Sequence, residues 1–120
     1  MRKTRSTNPE LVRLIGYLKK KGREKEAAIW RDIAERLAKP KRKNIVVNLS
    51  RLNRYTKKSE MVAVPGKVLA AGEIHHPIVV AAFAFSEKAV EKIGTANGKC
   101  LSLYELVEEN PAGSNVKILG

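Results

Sequence analysis

Cysteine and aromatic residues are scarce in this sequence, and its acids number half its basic residues. A single cysteine, Cys100, stands in 120 residues, so no internal disulfide can form and a reducing compartment is expected. Trp, Tyr and Phe together make up 5%. No spaced set of exposed Phe or Tyr is recognisable, which argues against a platform that stacks successive bases of a single strand. The longest apolar run, Ile78 to Phe85, is too short to cross a bilayer. The first residues, MRKTRSTNPE, are charged, but no apolar signal segment follows, because Arg13 interrupts LVRLIGYL. A cytoplasmic protein with no membrane partner is expected.

Catalytic signatures are also lacking. There is no GxSxG elbow, no phosphate loop and no dinucleotide GxGxxG. Gly66-Lys67 lacks the upstream glycine and the following hydroxyl residue of a phosphate loop; it reads as a turn with an exposed lysine, or as a lysine that touches a phosphate. His75 and His76 are adjacent, so in an extended segment they point to opposite sides and cannot chelate one ion. Cys100 beside Lys99 is a candidate low-pKa thiol, but a small core residue is the plainer reading. The sequence therefore predicts no enzyme, no cofactor, no metal and no small-molecule substrate.

What is present is positive charge, unevenly placed. Residues 1–58 hold 19 of the 24 Lys and Arg and five of the 12 acids, a net +14; the remaining residues hold five lysines against seven acids, a net −2. A surplus serving solubility would be spread out; one confined to half the chain points to a binding face for a polyanion on a nearly neutral scaffold. The cations fall into four groups: Arg2, Lys3 and Arg5; Lys19, Lys20, Lys21 and Arg23; Lys39, Lys41, Arg42 and Lys43; Arg51, Arg54, Lys57 and Lys58. Any one group could be a solvated helix end. Four of them at element ends or loops suit phosphate contacts, whose affinity comes from released counterions.

Periodicity supplies the frame. Residues 1–6 read as a basic tail that is disordered unless bound. Thr7 and Glu10 fit a capping box, and Leu11, Leu14, Ile15 and Leu18 form one helical face that Lys19–Gly22 closes. A second helix is predicted from Glu24 to Ala38, with Trp30, Ile33, Ala34 and Leu37 as its core stripe and Pro40 as its stop. Short strands are expected at Ile45–Asn48, at Met61–Val64 (ended by Pro65-Gly66), at Ile78–Phe85 and at Val116–Leu119. Helical turns are expected at Ser50–Tyr55, Val68–Ala71, Ser86–Ile93 and from a Ser102/Glu105 capping box to Glu109. The run Ile78–Phe85 is continuous and apolar, so it reads as a central strand buried on both faces. The result is an α/β protein, a single domain overall: a tail (1–6), a basic helical arm that is an αα-hairpin (7–44) and an α/β core (45–120). A helix-turn-helix DNA reader is the natural competitor, but Glu24 and Glu26 would then stand in the first turn of the recognition helix.

Four motifs carry a resemblance: AIWRDIAERLAKPKRKNIVVNLSRLNRY, VAVPGKVLAAG, FSEKAVEKI and ENPAGSNVKIL. In order and spacing they resemble the archaeal and eukaryotic large-subunit ribosomal protein family L-eighteen-e, which is related to bacterial ribosomal protein L-fifteen. The resemblance spans Thr7 to Leu119. It implies a small, irregular mixed α/β domain of ββα-like turns with an N-terminal basic helical extension. It also implies a structural role in the large ribosomal subunit, with ribosomal RNA and neighbouring ribosomal proteins as partners, and no catalysis. Arg36, Lys39, Lys41, Arg42 and Lys67 are then expected against RNA, with Pro40 shaping the chain. The alternatives are a transient RNA-binding assembly factor and a helix-turn-helix DNA-binding protein.

Overall fold

The computed structural model describes residues 9–39 and 45–120. The chain order is α1 (Pro9–Glu24), α2 (Ala28–Ala38), β1 (Val46–Asn48), α3 (Leu49–Tyr55), β2 (Met61–Leu69), β3 (Val79–Phe85), α4 (Glu87–Thr95), β4 (Lys99–Ser102), α5 (Leu103–Glu109) and β5 (Val116–Ile118). The α/β class is as expected. The ββα-like turns take the form of parallel strands: β1 with β2, β5 with β2, β2 with β3 and β3 with β4 all pair in parallel.

Parallel strands cannot be joined by hairpins: α3, α4 and α5 lie in the crossovers β1–β2, β3–β4 and β4–β5 and cover the sheet, while residues 70–78 join β2 to β3 without a helix. Alternation sorts the strand residues between two faces. Ala63 and Ala81 lie with Leu101 under α1, α2 and α5, where their small side chains leave room for Trp30, Ile33 and Leu37. Val62, Val64, Val80 and Ala82 point the other way and pack with Leu49 and Leu52 of α3 and Ala89 and Ile93 of α4. Trp30 is fully buried, as its place on the helical stripe predicts, and its indole N–H donates to the Pro111 carbonyl at 2.8 Å. The strand from Ile78 is central: β3 pairs on both edges.

Several boundaries differ from expectation. The capping-box residue Thr7 lies outside the described residues. Helix α1 does not close at Gly22 but runs to Glu24. Gly22 is buried inside it, because α2 crosses there: a Cβ would meet Arg31 Cγ at 2.6 Å. The helix ends in a Schellman turn, with Ala27 N–H donating to the Gly22 carbonyl and Glu26 at φ 52. Glu24 and Glu26 therefore belong to α1 and its exit, and α2 begins at Ala28 with no acid in its first turn. The capping-box reading at Ser102 and Glu105 holds in full: each side chain accepts from the other's backbone N–H. The Ser86 cap holds too, through Ala89 N–H, but α4 continues past Ile93 to Thr95 and ends in its own Schellman turn at Asn97-Gly98.

The largest departure is β2. Pro65-Gly66 does not stop it, and Val68 is strand, not helix. The β2–β3 register shifts between Val64 and Lys67, a bulge that absorbs the proline's missing N–H. Beyond it, Lys67 N–H donates to the Ile45 carbonyl at 3.0 Å and β1 pairs with Lys67–Leu69, while β5 occupies the same edge at Met61–Ala63. Gly66 has no room for a side chain, since a Cβ would overlap the Ile45 carbonyl oxygen. Gly66→Ala is expected to lower stability by about 1–3 kcal/mol, read as a fall in the urea midpoint at unchanged slope.

Candidate nucleic-acid interface

Of the predicted contact residues, Arg2, Lys3, Arg5, Lys41, Arg42 and Lys43 lie outside the described residues, as does Pro40. The rest can be placed. Lys19, Lys20, Lys21 and Arg23 occupy the last turns of α1. Lys20 and Lys21 both reach Glu24, at 3.9 and 3.3 Å, and Lys21 also lies over the Tyr17 ring. Lys19 and Arg23 are exposed and make no ion pair with a described acid. This group sits at the α1–α2 turn, and α2's 11 residues put it about 16 Å from the other end of that helix.

That other end holds a second set. Lys39 is the exposed C-cap of α2. One turn earlier, Arg36 donates from Nε to Asp32 at 3.1 Å and from Nη1 to the Gly120 carbonyl at 2.9 Å. Gly120 is in turn packed beside Ile45, whose carbonyl holds Lys67 N–H. Lys67 is exposed on β2, so it is neither in a turn nor buried. Residues 40–44, the heart of the basic cluster, thus leave from Lys39 and re-enter at Ile45 beside Lys67. Arg36 spends two donors inside the fold at this junction.

The fourth group is on the opposite face of the sheet. Leu49 and Leu52 anchor α3 in the core, which turns Arg51, Arg54 and Tyr55 outward, followed by exposed Lys57 and Lys58. The guanidinium carbons of Arg51 and Arg54 lie 6.0 and 5.3 Å from the Tyr55 ring centroid. Neither arginine pairs with a described acid.

The two halves of the chain treat their cations differently. Lys92, Lys99 and Lys117 pair with Glu73, Glu109 and Glu60 at 3.3, 3.1 and 3.3 Å. In the basic half, Arg13, Lys19, Arg23, Lys25, Arg31, Arg51, Arg54, Lys57 and Lys58 make no ion pair with a described acid. Arg13, Lys25 and Arg31 fall outside the four charge groups. Their signal is positional: Arg13 falls on the side of α1 away from Leu11, Leu14 and Ile15. The outward residues of α2 include Arg31, Asp32, Glu35 and Arg36, two cations against two acids. The objection to a helix-turn-helix reader based on Glu24 and Glu26 falls with the new boundary, but this electrically balanced surface is no better suited to a recognition helix.

The other chemistry is quiet. Burial pushes the Cys100 thiol up from 9.0, so it stays protonated near neutral pH. Lys99, which could have opposed this, is paired to Glu109. The His76 ring faces Thr56, Asn53 and Pro77, and among the described residues no cluster of His, Cys, Asp or Glu could hold a metal. No described helix is long and apolar enough to cross a membrane.

With the geometry in place, comparison with protein families matches residues 1–120 to ribosomal protein 60S L18 and 50S L18e. The chain belongs to this family. It is 48% identical over 119 residues to the large ribosomal subunit protein eL18 of Methanothermobacter thermautotrophicus, covering 99% of this chain and 98% of that protein. The eL18 proteins of Archaeoglobus fulgidus and Methanococcus maripaludis are 49% and 46% identical, over 96% and 99% of this chain and 98% and 99% of their own lengths. The resemblance read from the four motifs is therefore correct, and this L18e-family chain carries most of its described cations that lack an ion pair in the half that holds the longest of those motifs.

Glu60 fixes the end of α3 against β5. Its carboxylate accepts from the Lys57 backbone N–H at 2.8 Å and pairs with Lys117, whose Nζ also donates to the Tyr55 carbonyl. The Lys57 N–H, with help from Lys117, holds the Glu60 carboxyl below its ordinary 4.5. A carboxyl depressed in the fold stabilises fully above the unfolded value, and that contribution is lost as pH falls through the lower folded value. Carbon-detected titration of Glu60 is expected to give a midpoint below 4.5, and Glu60→Gln to flatten the acid limb of the stability profile.

Proposed function

We propose that this chain is a structural constituent of the large ribosomal subunit, binding and stabilising folded large-subunit ribosomal RNA through phosphate and shape contacts. The observation that carries the reading is the unneutralised basic surface of the first half, set on a scaffold whose other lysines are largely consumed by acids. Family membership supports the particle, since the archaeal relatives are named as large-subunit proteins. The role is non-catalytic, its partners are ribosomal RNA and neighbouring ribosomal proteins, and its location is the cytoplasmic ribosome.

On this reading the tail at 1–6 threads between RNA segments, the helical arm of 7–44 and the α/β core of 45–120 present the remaining cations, and Lys41, Arg42 and Lys43 anchor their junction. Lys39 and Lys67 flank that anchor, while Arg36 holds the protein side of it in shape. A cluster of like charge repels itself in the free protein, and opposing phosphates relieve that repulsion.

The test is sedimentation of a lysate through a high-salt sucrose gradient. Retention with the large subunit supports a structural constituent, whereas release to the top of the gradient would leave a transient assembly factor as the better reading. In binding assays on large-subunit ribosomal RNA, replacing Lys41, Arg42 and Lys43 together by Gln is expected to flatten the log–log salt dependence by roughly 0.7–0.9 for each phosphate no longer neutralised. An unchanged salt slope would refute the junction anchor.

A further inference from the structure

We infer that Tyr55 is a base-stacking site: its exposed ring, framed by Arg51 and Arg54, takes one unpaired nucleobase of RNA, with the flanking phosphates on the two guanidinium groups. The inference rests on the RNA-binding reading above and adds to it an interaction that charge alone does not supply.

Tyr55 stands apart from the other exposed rings. It is 52% exposed, against 37% for Tyr104 and 38% for Phe83. Tyr104 is already in contact with Tyr17, at 4.7 Å between ring centroids, and Phe83 has no cation beside it among the described residues. Tyr55 belongs to neither core cluster and has no aromatic partner among the described residues. Its hydroxyl makes no hydrogen bond within the described residues, so it is open to a phosphate or a ribose 2′-hydroxyl.

The backbone that carries the ring is held, while the ring itself is half exposed. Leu52 is fully buried one turn before it, and Thr56 is tied back to the Leu52 carbonyl. The Tyr55 carbonyl accepts from Lys117 Nζ at 2.8 Å. Glu60, the acid of this corner, is engaged by the Lys57 N–H and Lys117, not by either arginine. A base arriving here therefore meets a ring on a fixed backbone and two cations with no ion pair to a described acid to break, which lowers the ordering cost of binding.

Geometry allows the stack with one small movement. A base sandwiched between two planes needs about 7–8 Å between them. Arg51 stands 6.0 Å from the ring centroid, and its exposed side chain is free to retreat by the difference and close over the base. Cation–π contact with both arginines is weak in water and is replaced by stacking on the base, which also favours a guanidinium plane. Every base has a π-face, so the site is tolerant of base identity.

The experiment measures binding of the full chain to deproteinised large-subunit ribosomal RNA over a series of salt concentrations. Tyr55→Leu is expected to weaken binding about ten-fold or more while leaving the salt slope unchanged, because every cation that meets a phosphate is still in place. Tyr55→Phe, which keeps the ring, should stay within about three-fold of the parent. Arg54→Gln should instead lower the slope by roughly 0.7–0.9. Ultraviolet cross-linking of the unmodified chain should place a nucleotide adduct on Tyr55, a readout that does not depend on any variant folding. Binding by Tyr55→Leu equal to the parent, or no adduct at Tyr55, would overturn the stacking site while leaving RNA binding intact. Failure of the parent chain itself to bind the RNA would overturn both readings.

Discussion

Parallel pairing on both edges of β2 is the constraint from which the rest of this structure follows. A parallel sheet offers no hairpin shortcuts, so each strand is reached by a crossover and each crossover has to cover a face. The strand is nine residues long, enough to give one edge to two short partners, β5 near its start and β1 near its end. Holding β1 there requires the chain to pass Gly66 at backbone contact. A bulge at Pro65-Gly66 makes that approach possible and sets Lys67 beside the point where the described chain resumes at Ile45.

That arrangement gives the charge asymmetry a spatial meaning. Two lysines of the nearly neutral half work inside the fold: Lys92 donates to the carbonyls of Ala70 and Gly72, and Lys117 bridges Tyr55 and Glu60. They tie crossovers to strands and are matched by acids. The described cations of α1, α2 and α3 stand on helices with a buried apolar stripe, and burial of one side directs most of them outward on the other. Arg36 is the exception. It belongs by sequence to the basic half and by geometry to the internal set, because the chain's last residue comes to rest against it.

The basic surface is also not one patch. The α1–α2 turn, the junction at Lys39, Ile45 and Lys67, and the outward side of α3 lie at different corners, the last on the opposite face of the sheet. An elongated body, 44 Å in its longest extent, with cations at several corners is suited to bridging separate segments of a folded polyanion more than to lying along one duplex. Runs of charge in the sequence mark these corners; Arg13, Lys25 and Arg31 stand outside any run, alone between acids or apolar residues, and add exposed cations to the first two helices and the turn between them.

Composition and short-range periodicity by themselves determined the α/β class, the net charge and its division, the two capped helices at Ser86 and Ser102, the buried Trp30 stripe and the central strand. Each depends on residues within a few positions of one another, where backbone geometry follows directly from side-chain chemistry. The tertiary structure decided what depends on distant partners. Helix α1 outruns its lysines because α2 packs over Gly22. Strand β2 outruns a proline and a glycine because β1 and β3 supply hydrogen bonds on both sides of the bulge. Arg36 turns inward to a residue 84 positions away, and Lys117 reaches Tyr55 across 62. Local preferences are small beside the cost of leaving a buried backbone group unpaired, so where the two conflict, the distant pairing prevails.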